Sequence, residues 1–168
     1  MASSTLDQVP DGQRVFIDAS IFIYHFTGAS KDCRTLLEDC ERGRISGFTS
    51  VTALAEVAHR LMMIEAVAKG FVSPGNVVRK LREKPAIVRQ LHVYQDQIEL
   101  IPLMGIAVLD LDLEILSLGA GVRYRYGLLV NDSLLVATAI SQGIAAMASA
   151  DSDFERVEVL TLFRPADL

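Results

Sequence analysis

The sequence predicts an α/β domain with a central, mainly parallel sheet of four to five strands and helices on both faces. Three observations carry that prediction. Short apolar runs alternate with longer amphipathic segments along nearly the whole chain, the pattern of strands joined by helical crossovers. Glycine and capping residues punctuate the alternation where helices should stop and start. The 168 residues are 51% hydrophobic and 22% charged, enough for one domain with a continuous core.

The elements follow in order. Residues 1–13, "MASSTLDQVPDGQ", read as a flexible N-terminal arm, and one domain occupies 14–168. "RVFID" is a first strand, ending on Asp18. "SKDCRTLLEDCERG" is helical, with Ser30 as N-cap and Gly43 as stop. "ISGFT" is a second strand. "SVTALAEVAHRLMMIEAVAKG" is a long helix that places Val51, Leu54, Ala55, Ala58, Met62 and Glu65 at the 3.6-residue period and ends at Gly70. Ser73-Pro74 opens a further helix, and the helical pattern breaks near Pro85. The stretch from about 65 to 102 therefore reads as a helical insertion or extended arm. "GIAVLDLD" holds a third strand over about Ile106–Leu109. Asp112 caps the helix "LEILSLGAGVRYRYG", and Asn131-Asp132 reads as the N-cap of "SLLVATAISQG". "IAAMAS" is the fourth strand, and "VEVLTL" is a possible fifth.

Composition narrows the function. A net charge of −5 argues against a strongly basic nucleic-acid binder but leaves room for a local basic patch. Cys33 and Cys40 share one helix face seven residues apart and read as small core residues of a reducing compartment. No apolar run spans a bilayer, and the start lacks the basic and apolar regions of a secretory signal. A soluble cytoplasmic protein without a membrane partner is the expectation.

The carboxylates carry the chemistry. Asp18 ends the first strand and Asp151 follows the fourth, with Asp153 two residues on. Ligands of parallel sheets bind at the carboxyl ends of strands. Glu56 lies in the second turn of the long helix, and Asp132 opens the apolar helix. Each has a bland reading. Asp18 suits a turn cap, Glu56 an i,i+4 partner of Arg60, Asp132 an N-cap, and Asp151 and Asp153 turn residues. As a set they converge on one rim. Like charges about 4 Å apart repel by roughly 4 kcal/mol at an effective dielectric near 20, so such a rim protonates or holds a cation. All-oxygen donors suit Mg²⁺ or Mn²⁺, in the layout of metal-assisted phosphodiester hydrolysis.

"FIDASIFIY", "FTSVTALAEVAHRL" and "GLLVNDSLLVATAISQGI" running into "MASADSDFERV" resemble, in this order, the motifs of PIN-domain ribonucleases, and most closely the VapC-type toxins of toxin–antitoxin pairs. The resemblance covers nearly the whole chain. It implies a three-layer PIN-like fold and a metal-dependent endoribonuclease. Asp18, Glu56, Asp132 and Asp151 match the family's acidic quartet, and Asp153 a frequent additional acid. Ser20 and Ser149 match polar positions beside the site. Asp18 and Asp132 become the principal metal ligands, Asp151 a second or water-mediated one, and Glu56 a further ligand or an orienter of water. Water, not the RNA 2′-hydroxyl, is then the nucleophile, leaving a 5′-phosphate and a 3′-hydroxyl. His25, His59 and His92 receive no role. An RNA substrate, single-stranded or in a loop, a cognate antitoxin and a homodimer are the implied partners.

Two stretches can hold nucleic acid: "RYRYG" (Arg123–Gly127) and the arm cations Arg79, Lys80, Arg82, Lys84 and Arg89. Both also suit solvated helix faces. Tyr24 reads as core packing. Two alternatives stand beside the ribonuclease: a catalytically silent PIN-like binding module and a structure-selective DNA nuclease. A third, a phosphatase of the haloacid-dehalogenase type suggested by "LDLD", begins too late in the chain for that fold's remaining strands.

Overall fold

The structure is a computed structural model that describes residues 4–168. Six strands form one sheet in which every pairing is parallel: β1 (Ser4–Thr5), β2 (Arg14–Ile17), β3 (Ser46–Ser50), β4 (Ala107–Leu109), β5 (Ala146–Ala148) and β6 (Thr161–Arg164), in the order β1-β6-β5-β2-β3-β4. The helices are α1 (Ala19–Phe26), α2 (Lys31–Glu41), α3 (Val51–Ala68), α4 (Val77–Glu83), α5 (Pro85–Val88), α6 (Val93–Leu100), α7 (Leu113–Tyr126) and α8 (Val130–Ser141).

The strands feed two cores by simple alternation. Val15 and Ile17 enter one core with Phe22, Leu36 and Ile101, whereas Phe16 between them enters the other with Leu135 and Phe154. On β5, Ala146 and Ala148 join the first core and Met147 the second. A third, smaller core of Ala66, Val72, Leu81 and Leu91 holds the helical arm on α3. Cys33 and Cys40 are both buried in the first core. Burial pushes their thiols up, to about 11 and about 12, so they stay protonated and inert.

Local chemistry explains the helix starts. Ser30, Ser50 and Asp112 accept the backbone N–H of Cys33, Ala53 and Ile115 at 3.0, 3.2 and 2.8 Å. Helix α2 has a second cap from far away. Asp167 accepts from the Ser30 hydroxyl (2.7 Å) and the Lys31 N–H (2.7 Å), while Ala166 N–H donates to Asp32 (2.7 Å). Helix α6 has no cap of its own side chain. Glu65, on α3, reaches across to take the N–H groups of His92 (3.1 Å) and Tyr94 (3.0 Å) and pairs with Lys69 at 2.6 Å.

Several expectations need correction. Residues 1–3 of the expected arm lie outside the described residues, but 4–9 are not loose. Strand β1 pairs with β6, and Leu6 and Val9 are buried. The sheet accordingly has six strands rather than four or five. Ser73-Pro74 does not start a helix; α4 begins at Val77 after Asn76, which holds a left-handed φ of 48°. Proline 85 does break the arm, as the first residue of α5. The last strand is displaced to 161–164, because residues 158–160 form a turn. Asp132 is not an N-cap: Leu129 occupies that position, and Asp132 sits inside the first turn of α8.

Candidate active site

Strand β2 lies between β3 on one side and β5 on the other. Chain connections leave the β2–β5 boundary in opposite directions, which opens a crevice at their carboxyl ends. Asp18 follows β2 directly, and its N–H donates to Ala148 O at 3.0 Å. Its side chain is 6% exposed. One carboxylate oxygen accepts from Ala19 N–H (2.7 Å), the other from Ser20 N–H (3.3 Å) and the hydroxyls of Ser20 (2.6 Å) and Ser149 (2.7 Å). The two serines also stitch the strand ends together. Ser20 Oγ accepts from Ala150 N–H at 3.1 Å and Ser149 Oγ from Asp151 N–H at 3.0 Å. The buried charge of Asp18 is thus fully hydrogen-bonded on its inner side.

Asp18, Glu56, Asp132 and Asp151 line one cleft of about 250 Å³, together with Ser20, Ile23, Tyr24, Arg60 and Phe154. Glu56 projects from the second turn of α3 and Asp132 from the first turn of α8, so four elements each supply one acid. The acids feel one another. Burial, then the charges of Asp151, Asp18, Glu56 and Asp153, push Asp132 up to about 6. Burial and the charges of Asp18 and Asp151 raise Glu56, with Arg60 acting the other way. Such shifts mark a site with surplus negative charge.

Asp153 stands apart. It does not line the cleft, and its carboxylate pairs with Arg156 at 2.6 Å. None of His25, His59 and His92 lines it either. Tyr24 packs against the first core and also borders the cleft. Of the two cationic stretches, Arg123 turns inward to donate to Ser133 Oγ at 2.9 Å, and Arg125 lies 5.1 Å from the Tyr126 ring. On the arm, Arg79 pairs with Glu83 and Lys80 is held by Ser73 and Pro74. Arg60 is the functional candidate that sequence reasoning missed. Its spacing from Glu56 suggested an intrahelical partner, yet the two make no ion pair among the described residues.

An oxygen-only set of this kind fits a hard divalent cation. Among the described residues no three His, Cys, Asp or Glu side chains form a ready-made cage. The acids instead face one another across an open cleft, which suits an ion that keeps several waters and takes only a few carboxylates.

A family model for the PIN domain matches residues 15–160. This chain belongs to the PIN domain family. Its similarity to PIN relatives extends over most of its length. Ribonuclease VapC2 of Methanocaldococcus jannaschii is 28% identical over 149 residues, which is 89% of this chain and 92% of the relative. Ribonuclease VapC6 of the same organism is 24% identical over 150 residues, 89% and 96% of the two chains. Solved structures share the fold at lower identity. VapBC2 from Rickettsia felis, bound to a DNA fragment from its promoter, superposes with a TM-score of 0.58 at 17% identity, covering 91% of this chain and 99% of that one. VapC20 from Mycobacterium tuberculosis, a Sarcin-Ricin loop cleaving toxin, gives 0.57 at 15% identity over 86% and 95%.

Proposed function

We propose that this PIN-domain protein is a Mg²⁺- or Mn²⁺-dependent endoribonuclease, acting in the cytoplasm as the toxin of a toxin–antitoxin pair. The observation that carries the reading is the meeting of four carboxylates from four elements in one cleft, with Asp132 pushed up to about 6 by burial and its acidic neighbours. Relatives named ribonucleases support the reaction, and fold neighbours from toxin–antitoxin complexes support an antitoxin partner.

Asp18, Asp132 and Asp151 would hold the cation, with Glu56 as a further ligand or as the acceptor that orients water. Bound there, Mg²⁺ or Mn²⁺ supplies charge neutralisation at the phosphate and an activated water. Ser20 and Ser149 fix Asp18 by donating to one of its oxygens, leaving the carboxylate little freedom to swing. Glu56 lines the cleft from α3, where its carboxylate can accept a hydrogen bond from a water and orient it. Asp153, paired with Arg156, adds its charge beside the site.

The test is cleavage of single-stranded and looped RNA, and of DNA of the same sequence, with Mg²⁺ or Mn²⁺ and with chelator. Asp18→Asn is expected to abolish cleavage while leaving the circular dichroism spectrum unchanged. Cleavage by purified Asp18→Asn at the wild-type rate overturns the assignment. Preference for DNA favours the DNA nuclease, and failure to bind either metal favours the silent binding module.

A further inference from the structure

Resting on the ribonuclease reading, we infer that Arg60 is the residue that grips an RNA backbone phosphate in the acidic cleft. Four carboxylates lining one cleft concentrate negative charge there, and a phosphodiester adds more. A cleft that admits RNA under those conditions needs a fixed positive group on its wall. Among the described residues lining it, Arg60 is the only Lys or Arg.

Its position suits the role. Arg60 stands one helical turn beyond Glu56 on α3, about 6 Å further along the helix axis, so it shares the wall without crowding the strand ends. Among the described residues it forms no ion pair and no side-chain hydrogen bond, whereas Arg44, Arg156 and Arg164 each hold an acid. Its side chain is exposed. An arginine facing carboxylates yet paired with none keeps all its donors for an incoming ligand. Its planar fork matches two phosphate oxygens. Tyr24 borders the same cleft.

The experiment separates binding from chemistry. Affinity for a fluorescent single-stranded oligoribonucleotide is measured in Mg²⁺ at several KCl concentrations, on Asp132→Asn and on Asp132→Asn with Arg60→Ala or Arg60→Lys. Arg60→Ala should weaken binding about ten- to a hundredfold and make the salt dependence shallower by about 0.7 in log–log slope. Arg60→Lys should restore the slope and part of the affinity. In the otherwise wild-type chain, Arg60→Ala should raise KM far more than it lowers kcat, with the Mn²⁺ dependence unchanged. Wild-type cleavage together with unchanged affinity and slope in Arg60→Ala overturns this inference alone. A lower melting temperature of Arg60→Ala in chelator, without an RNA defect, likewise overturns it and makes Arg60 an internal counter-ion. Absence of both RNA binding and cleavage in wild type overturns the ribonuclease reading and this inference with it.

Discussion

Asp132 shows how one carboxylate connects stability to function. Its folded value near 6 lies above the ordinary 3.8, so the folded state holds its proton more tightly than the unfolded chain. Without metal, stability should therefore fall as pH rises from about 4 through 6, and stay low above that. Asp132→Asn removes the penalty. In chelator at pH 7 it should be more stable than wild type by about 1–3 kcal/mol, a range discounted for the side chain's partial exposure. The gap should close below about pH 4. Thermal melts at pH 4 and pH 7 check this, and a variant less stable than wild type at pH 7 refutes the crowding of the acids. Asp18, Glu56 and Asp151 were legible in the sequence because a strand end or a helix start dictated where each would lie. Asp132 was legible as an acid on the rim but not as an uncapped one, since Asn-Asp before an apolar run looks like any N-cap. Nothing local marked Leu129 as the residue that takes that place. Arg60 was hidden by the same kind of ambiguity, because i,i+4 spacing cannot say whether two side chains pair or part.

At the scale of elements, a single acid ties the start of α6 to α3. Burial alone would raise Glu65, but the Lys69 ammonium and the N–H groups of Tyr94, His92 and Val93 outweigh it and hold the carboxyl near 2. A depressed carboxyl contributes stability that is fully present above the unfolded value of 4.5 and is lost as pH falls through about 2. That contribution is roughly 3 kcal/mol. Glu65→Gln should thus lose about 2–3 kcal/mol at pH 6 and much less near pH 2, as read by urea unfolding at each pH. An equal loss at both would sever the link to ionisation. A tighter constraint sits on β3. A Cβ on Gly47 would meet Cys40 Sγ at 2.9 Å and side-chain carbons of Ile106 and Ile17 at 3.1 Å. Gly47→Val should cost about 1–3 kcal/mol, seen as a lower urea midpoint with an unchanged slope. A midpoint equal to wild type would mean that the α2–β3 contact can give way. The sequence revealed α2, α3 and α7 because their caps and stops are local. It concealed the start of α6, which Glu65 caps from 27 residues away. It also concealed β1, whose two polar residues carry no strand pattern.

The whole molecule leaves apolar side chains uncovered. Among the described residues Leu113 is 76%, Leu129 75% and Tyr124 96% exposed, surface that a second copy would bury. A homodimer is expected, and light scattering should give about twice the 18.4 kDa chain mass; a constant monomer mass across concentrations excludes it. Among the described residues no helix is long and apolar enough to cross a membrane. The order of strands has one more consequence. β1 pairs with β6, and β2 finds its second neighbour only in β5, so contacts at the sheet's centre and edge join residues more than a hundred positions apart. During synthesis, the segment carrying Asp18 and Glu56 emerges long before the one carrying Asp132 and Asp151. A growing chain therefore holds half the acids with no cleft to put them in, and its Phe16 face stays uncovered until α8 and β5 arrive. Folding of this topology is slow to commit, and the cleft assembles all at once, only after the segment with Asp132 and Asp151 has joined the one with Asp18 and Glu56.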